Sequence, residues 1–186
     1  MMAERQLERA ELAILVIDAS QGVTSGDLSI AGRAWDLGRG VLVVFNKWDL
    51  LDEAARADLE KGWDRLADLL SGPARINISA HTGRAVEKIV PALESLVERY
   101  RAQLETAEVN RIFQQAAERH HAPVERGKPW KLYYATQVST GPPTFMLFAN
   151  RTLPRRAPYR RYLENYLRRH LDCSGVPVRL VIRRRV

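Results

Sequence analysis

The sequence predicts a mixed α/β chain in two parts: three parallel strands alternating with helices, then a small α+β unit in the order α-β-β-α-β. Three observations lead there. Through the first hundred residues, short and nearly uninterrupted apolar runs alternate with helix-spaced segments, the pattern of buried strands joined by crossover helices. Beyond about Thr106 two strands follow in direct succession between helical segments. The charge also changes sign: residues 1–100 hold 12 Lys and Arg against 16 Asp and Glu, net −4, and residues 101–186 hold 17 against 6, net +11.

The first strand is read over residues 11–19, where Leu12 to Ile17 are all apolar and Asp18 closes the run. This continuity predicts burial on both faces, with pairing on both edges. Residues 27–37 place Leu28, Ile30, Ala31, Ala34 and Trp35 at helical spacing and stop at Gly38. Residues 41–45 repeat the apolar run and end at Asn46. A helix over 53–70 aligns Leu59, Trp63, Leu66 and Leu70, and a third strand is read at 74–78. A longer helix over 84–103 aligns Ile89, Leu93, Leu96 and Tyr100, with Pro91 inside it as an expected kink. Three strands make a thin sheet for this architecture, so further sheet is expected upstream.

In the second part a helix over 109–119, carrying Val109, Ile112, Phe113 and Ala116, ends at His120 and His121. These histidines read as a helix C-terminal pair favoured by the macrodipole. Strands at 131–137 and 144–150 flank a loop with Gly141, Pro142 and Pro143, and their aromatics Tyr133, Tyr134, Phe145 and Phe148 read as core. A helix over 159–170 aligns Tyr162, Leu163, Tyr166 and Leu167, and a last strand covers 178–182. The domain boundaries are placed at 1–104 and 105–186.

With 46% hydrophobic and 27% charged residues, the chain lies outside the disordered class. The lone Cys173 cannot close an intramolecular disulfide, and no Cys/His cluster has zinc-ligand spacing, so a reducing compartment and no metal site are expected. The apolar runs fall far short of the roughly 20 residues that span a bilayer. The charged N-terminus lacks the apolar centre of a signal peptide. Localisation is therefore expected to be cytoplasmic, with no membrane partner. A basic excess attracts polyphosphate, so the second part is the candidate for nucleic-acid contact.

The chemistry-bearing motif is Asn46-Lys47-Trp48-Asp49, directly after a buried strand, with Ser79-Ala80 directly after the next. A guanine base offers a ring N–H and an exocyclic amine side by side. One carboxylate can accept from both, an arrangement adenine cannot satisfy, and Asp49 is available for it. The Lys47 stem can lie over the purine face, the Asn46 amide can tie the loop to its neighbours, and Ser79 with the Ala80 backbone N–H can complete the pocket at the guanine carbonyl. Both loops leave the carboxyl ends of parallel strands, where ligands of open α/β sheets bind. Trp48 reads as a packing residue.

On these residues the chain resembles the C-terminal part of the bacterial Der (EngA) family. The matching residues are Leu15-Val16-Ile17-Asp18-Ala19 with Gln21-Gly22, Asn46 to Asp49, Ile78-Ser79-Ala80, Asn110-Arg111 with Phe113, Lys131 to Ala135, and the segment 159–167. The resemblance implies the back half of a P-loop GTPase domain followed by a KH-like domain. It implies guanine binding by Asn46, Lys47, Asp49, Ser79 and Ala80, and GTP or GDP with Mg2+ as cofactors of the complete protein. The implied partners are the large ribosomal subunit or ribosomal RNA, and N-terminal GTPase domains in cis. The implied role is ribosome biogenesis.

The sequence contains no Gly-x-x-x-x-Gly-Lys-Ser/Thr; the stretch 22–26 has the wrong spacing, and Gly127-Lys128 is followed by Pro129. That loop cradles phosphates and places a hydroxyl on magnesium, so the chain alone is expected to be inactive in hydrolysis and to bind nucleotide weakly. The second part also lacks the Gly-x-x-Gly loop with which KH domains clamp RNA. Its expected RNA or ribosome contacts are Arg155, Arg156, Arg160 and Arg161 near one helix start and Arg183, Arg184 and Arg185 at the tail. The alternative is a stand-alone ribosome- or RNA-binding module with the half GTPase domain as scaffold.

Overall fold

A computed structural model describes residues 2–125 and 127–185; Met1, Arg126 and Val186 lie outside it. The chain forms two compact units, Met1–Tyr100 with Cys173–Pro177, and Arg101–Asp172 with Val178–Val186.

In the first unit, α1 (Met2–Arg9) leads into a parallel sheet of β1 (Leu12–Asp18), β2 (Gly40–Asn46) and β3 (Arg75–Asn77), in the order β1-β2-β3. The strands are joined by α2 (Ser25–Asp36) and α3 (Glu53–Leu69), and α4 (Ile89–Arg101) follows β3. Local sequence fixes the helix starts. Thr24 and Asp27 form a reciprocal capping box on α2, and the Asp52 carboxylate accepts from the Ala55 N–H at 2.8 Å. The expected single helix over 84–103 is instead a 3-10 turn, Val86–Lys88, running into α4. Pro91 therefore stands in the first turn of α4, where its missing N–H removes no helical hydrogen bond and no kink is needed.

Strand β2 is central, and all residues from Val41 to Phe45 are buried. Its side chains alternate between two cores. Val41, Val43 and Phe45 pack with Leu15, Ile17, Ala31, Leu59 and Leu66, while Leu42 and Val44 pack with Ile76, Leu96, Tyr100 and Val176. Strand β1 departs from expectation. Leu15 and Ile17 are buried, but Ile14 and Val16 are 43% and 59% exposed, because β1 is an edge strand that pairs only with β2 among the described residues. The segment Cys173–Pro177 completes the unit: the Val41 N–H donates to the Gly175 carbonyl at 2.8 Å, and Val176 is fully buried. Gly175 has φ +70°, and a Cβ there would stand 2.6 Å from the Val41 carbonyl oxygen. Only glycine fits both constraints.

The second unit contains α5 (Thr106–Arg119), the short antiparallel pair β4 (Val124–Glu125) and β5 (Lys128–Pro129), β6 (Leu132–Ser139), β7 (Thr144–Ala149), α6 (Pro158–His170) and β8 (Arg179–Arg184). The order of its main elements is α-β-β-α-β. Strands β6 and β7 are antiparallel, β7 and β8 parallel. Ile112, Phe113, Ala135, Phe145, Leu147, Leu163, Leu167 and Leu180 form one core with both helices. The opposite sheet face leaves Tyr134, Val138 and Val181 exposed. Of the four aromatics expected in the core, Phe145 is buried, whereas Tyr133 and Tyr134 are each 40% exposed. An irregularity in the β6–β7 register between Leu132 and Tyr134 breaks the alternation that would have turned one of them inward. His120 follows α5, stacks on Tyr159 with ring centroids 5.9 Å apart and lies tilted against Tyr162 at 4.6 Å, so packing holds it.

Candidate functional site

Strands β1 and β2 end in register, with Asp18 opposite Asn46, so the loops beyond them emerge side by side at the carboxyl edge of the sheet. Lys47 takes a left-handed conformation, φ 63°, which turns the chain sharply out of β2 into the 3-10 turn Trp48–Leu50. The Asn46 Oδ1 atom accepts from the Lys47 N–H at 2.8 Å and from the Ala80 N–H at 2.9 Å. A second tie runs from the Trp48 N–H to the Ile78 carbonyl at 3.0 Å. Two loops 34 positions apart are thereby held as one surface.

Within that surface Ser79 is 1% exposed, and its hydroxyl accepts from the Thr82 N–H at 3.2 Å. It also donates to Asp49, and this bond is the main reason the Asp49 carboxyl is held below the ordinary carboxylate range; the charge of His81 adds to it. Asp49 itself is exposed. The result is an ionised, oriented carboxylate open to solvent, suited to a ligand presenting two N–H donors. Lys47 Nζ lies 2.6 Å from Asp18 Oδ2. Asp18 also accepts from the Ser20 N–H at 3.1 Å and the Ser20 hydroxyl at 2.6 Å, and Lys47 and Ser20 together draw its carboxyl down to about 2. From sequence Asp18 closes a strand and carries part of the resemblance, with no site role assigned to it. Its signal was present: a carboxylate closing β1 just as Asn46 closes the neighbouring parallel strand.

The structure brings Asn46, Lys47, Asp49, Ser79 and Ala80 together. The Ala80 N–H, expected to meet the guanine carbonyl, donates to Asn46 Oδ1 in this structure. Trp48 packs partly against the core, with the Arg56 guanidinium 5.5 Å from its ring centroid. Among the described residues no group of three or more His, Cys, Asp or Glu side chains could hold a metal.

In the second unit the arginines expected to act together are split. Arg155, Arg156 and Arg161 are exposed and line an open cavity of about 790 Å³, which Arg169 also borders. Arg160 does not join them. Its guanidinium donates to the Leu180 carbonyl and pairs with Glu164 at 3.3 Å, leaving its side chain 15% exposed. At the tail, Arg184 and Arg185 border a second open cavity of about 740 Å³ with Lys128 and Tyr133, while Arg183 stands opposite Phe148 in the β7–β8 register and is not part of that lining. Arg151 is occupied within the unit, donating to the Pro123 and Lys128 carbonyls at 2.6 and 2.8 Å.

A parallel sheet with two tied loops at its carboxyl edge, followed by a helix-covered three-stranded unit, is a partial α/β domain of the P-loop type with an appended KH-like domain. Residues 103–183 match the family described as the KH-domain-like region of EngA bacterial GTPase enzymes, C-terminal. GTPase Der of Desulforudis audaxviator is 43% identical over 185 residues, covering 98% of this chain and 42% of that protein; GTPase Der of Geobacter metallireducens is 36% identical, covering 97% and 42%. Over nearly its whole length the chain is similar to GTPase Der (EngA) proteins, and residues 103–183 match that family's C-terminal KH-like region. It spans about two fifths of the length of these curated relatives. Aquifex aeolicus Era bound to GDP and aluminium fluoride aligns over 98% of this chain and 68% of that one, with 18% identity and a TM-score of 0.43. Among the described residues no helix is long and apolar enough to cross a membrane.

Proposed function

We propose that the first unit is the base-recognition half of a guanine-nucleotide site. Asp49 accepts from the base, the Lys47 stem covers its face, and Asn46, Ser79 and Ala80 hold the two loops in place. The phosphates and Mg2+ of GTP or GDP are bound by elements outside these residues, in GTPase domains that act in cis. The second unit contacts ribosomal RNA through its arginines, and the whole acts in the cytoplasm in assembly of the large ribosomal subunit. The observation that carries this reading is the tie from Asn46 Oδ1 to the Lys47 and Ala80 N–H groups, which holds the two loops as one surface with the Asp49 carboxylate exposed on it. The test is an NMR titration of the chain with GDP and ADP. Selective shifts at the amides of residues 46–49 and 79–81 with GDP, at millimolar concentration, support the reading; shifts of equal size with ADP overturn it.

A second reading, a stand-alone ribosome-binding module scaffolded by the first unit, is favoured by the excess of +11 beyond residue 100. Under that reading removal of Asp49 leaves ribosome association unchanged at every nucleotide concentration.

A further inference from the structure

The carboxyl edge of the first sheet offers one lysine a choice of two carboxylates. Asp18 closes β1, Asp49 lies in the 3-10 turn that leaves β2, and Lys47 enters that turn two residues before Asp49. The Lys47 side chain is half-exposed, and its ammonium rides on a flexible four-carbon stem, so the better prepared carboxylate takes it. The two are prepared differently. Asp18 is fixed from its own loop: Oδ1 accepts from the Ser20 hydroxyl at 2.6 Å and the Ser20 N–H at 3.1 Å, and Oδ2 from the Gln21 amide at 3.4 Å. The Lys47 ammonium completes this set, 2.6 Å from Oδ2. Asp49 is exposed, and among the described residues no lysine or arginine pairs with it.

That choice decides what Asp49 can bind. A carboxylate already paired with an ammonium has lone pairs engaged, and a ligand bringing two N–H donors must first displace the cation. A carboxylate without a counter-ion receives both donors directly. The strands themselves do not need the ion pair: β1 and β2 are in register from Leu12 opposite Gly40 to Asp18 opposite Asn46, and Asn46 ties the loops beyond β2 and β3. We propose that Asp18 is a positioning residue for base recognition: it withdraws the Lys47 ammonium from Asp49 and so leaves the Asp49 carboxylate free for the paired N–H donors of a guanine. The inference rests on the reading of the first unit as a base-recognition half. It adds a residue that acts only through Lys47, on a strand that contributes none of the base contacts.

The test is a double-mutant cycle on the full chain, with GDP and ADP titrations read by NMR and the acid titration of the Asp49 carboxyl carbon followed without nucleotide. Asp18→Asn is expected to release Lys47 onto Asp49, to lower the Asp49 midpoint, and to weaken GDP about two- to fivefold, the range an exposed ion pair supplies. ADP, which brings no paired donors to Asp49, is expected to be unaffected. Lys47→Met keeps an apolar stem and removes the cation. In that background Asp18→Asn is expected to change neither the midpoint nor GDP affinity, because no ammonium is left to restrain. His81, the cationic neighbour of Asp49, is charged throughout the carboxyl range and contributes equally in all four proteins. Ser20→Ala loosens Asp18 without removing its charge and is expected to move the Asp49 midpoint the same way by less, which keeps the proposal decidable should Asp18→Asn fail to fold. A GDP loss of equal size in both backgrounds overturns the proposal in favour of a purely structural Asp18, as does an Asp49 midpoint unmoved by Asp18→Asn or Ser20→Ala. Equal GDP and ADP shifts in the unaltered chain overturn the base-recognition reading, and the Asp49 midpoint still decides whether Asp18 restrains Lys47.

Discussion

The Lys47 ammonium and the Asp18 carboxylate meet at 2.6 Å across the ends of two neighbouring parallel strands. The pair holds the Lys47 side chain at the carboxyl edge of the sheet, and Lys47 is the residue whose left-handed backbone turns the chain toward Asp49.

The pair gives the first unit a defined acid sensitivity. Because the folded state lowers the Asp18 carboxyl from 3.8 to about 2, its contribution is fully present above pH 4 and is lost as pH falls through the interval down to about 2. Asp18→Asn is expected to flatten stability against pH in that interval and leave it unchanged in slope above pH 5, as read by urea unfolding at stepped pH.

Asp49→Asn is expected to exchange guanine for xanthine preference. The amide donates to the second xanthine carbonyl, where the carboxylate would repel it. A hydrogen bond to a charged group contributes about 1.5–3 kcal/mol, so the ratio of GDP to XDP affinity should fall by at least roughly tenfold. The measurement is competitive titration followed by NMR. Ser79→Ala provides the control: it should return the Asp49 carboxyl toward 3.8 without reversing base preference.

How much of this was legible in the sequence varied with the range of the contacts. Strand β2 was legible because Val41 to Phe45 are apolar without interruption and all are buried. Strand β1 looked identical locally, yet Val16 is exposed; an apolar run does not say what lies against each face. The tied loops followed from Asn46 and Ala80 standing after adjacent strands, but the bond from the Ala80 N–H to Asn46 required geometry. The Arg155–Arg161 cluster looked uniform because charge is counted without direction, whereas Arg160 turns inward to Leu180. The contact between Val41 and Gly175 joins segments more than a hundred residues apart, and no local pattern announces it.

Arg155→Ala/Arg156→Ala/Arg161→Ala is expected to weaken sedimentation with large ribosomal subunits and to make the salt dependence shallower by up to three phosphate equivalents, about 0.9 in slope for each. Circular dichroism should be unchanged, since all three side chains are exposed. Arg160→Ala should instead lower thermal stability, because it strips the Leu180 carbonyl of its donor. Wild-type sedimentation of the triple variant at every salt concentration would remove this cluster from the ribosome-facing surface.

Gly175→Ala is expected to destabilise the first unit by about 2–3 kcal/mol, from a left-handed backbone carrying a Cβ and from the close approach to the Val41 carbonyl. The check is a thermal melt, in which the midpoint should drop by on the order of 10–20 °C. A melt matching wild type would mean that Cys173–Pro177 is not part of the unit in solution.

The place of Cys173–Pro177 within the first unit also sets an order of events during synthesis. A ribosome delivers residues 1–100 first, but Val176, which fills a fully buried position beside Leu42 and Leu96, emerges only after the whole of α6. The strand β8 that finishes the second unit comes later still. A nascent chain that stops between residues 101 and 172 therefore lacks Val176 from the first core and β8 from the second sheet, so both units are left incomplete together.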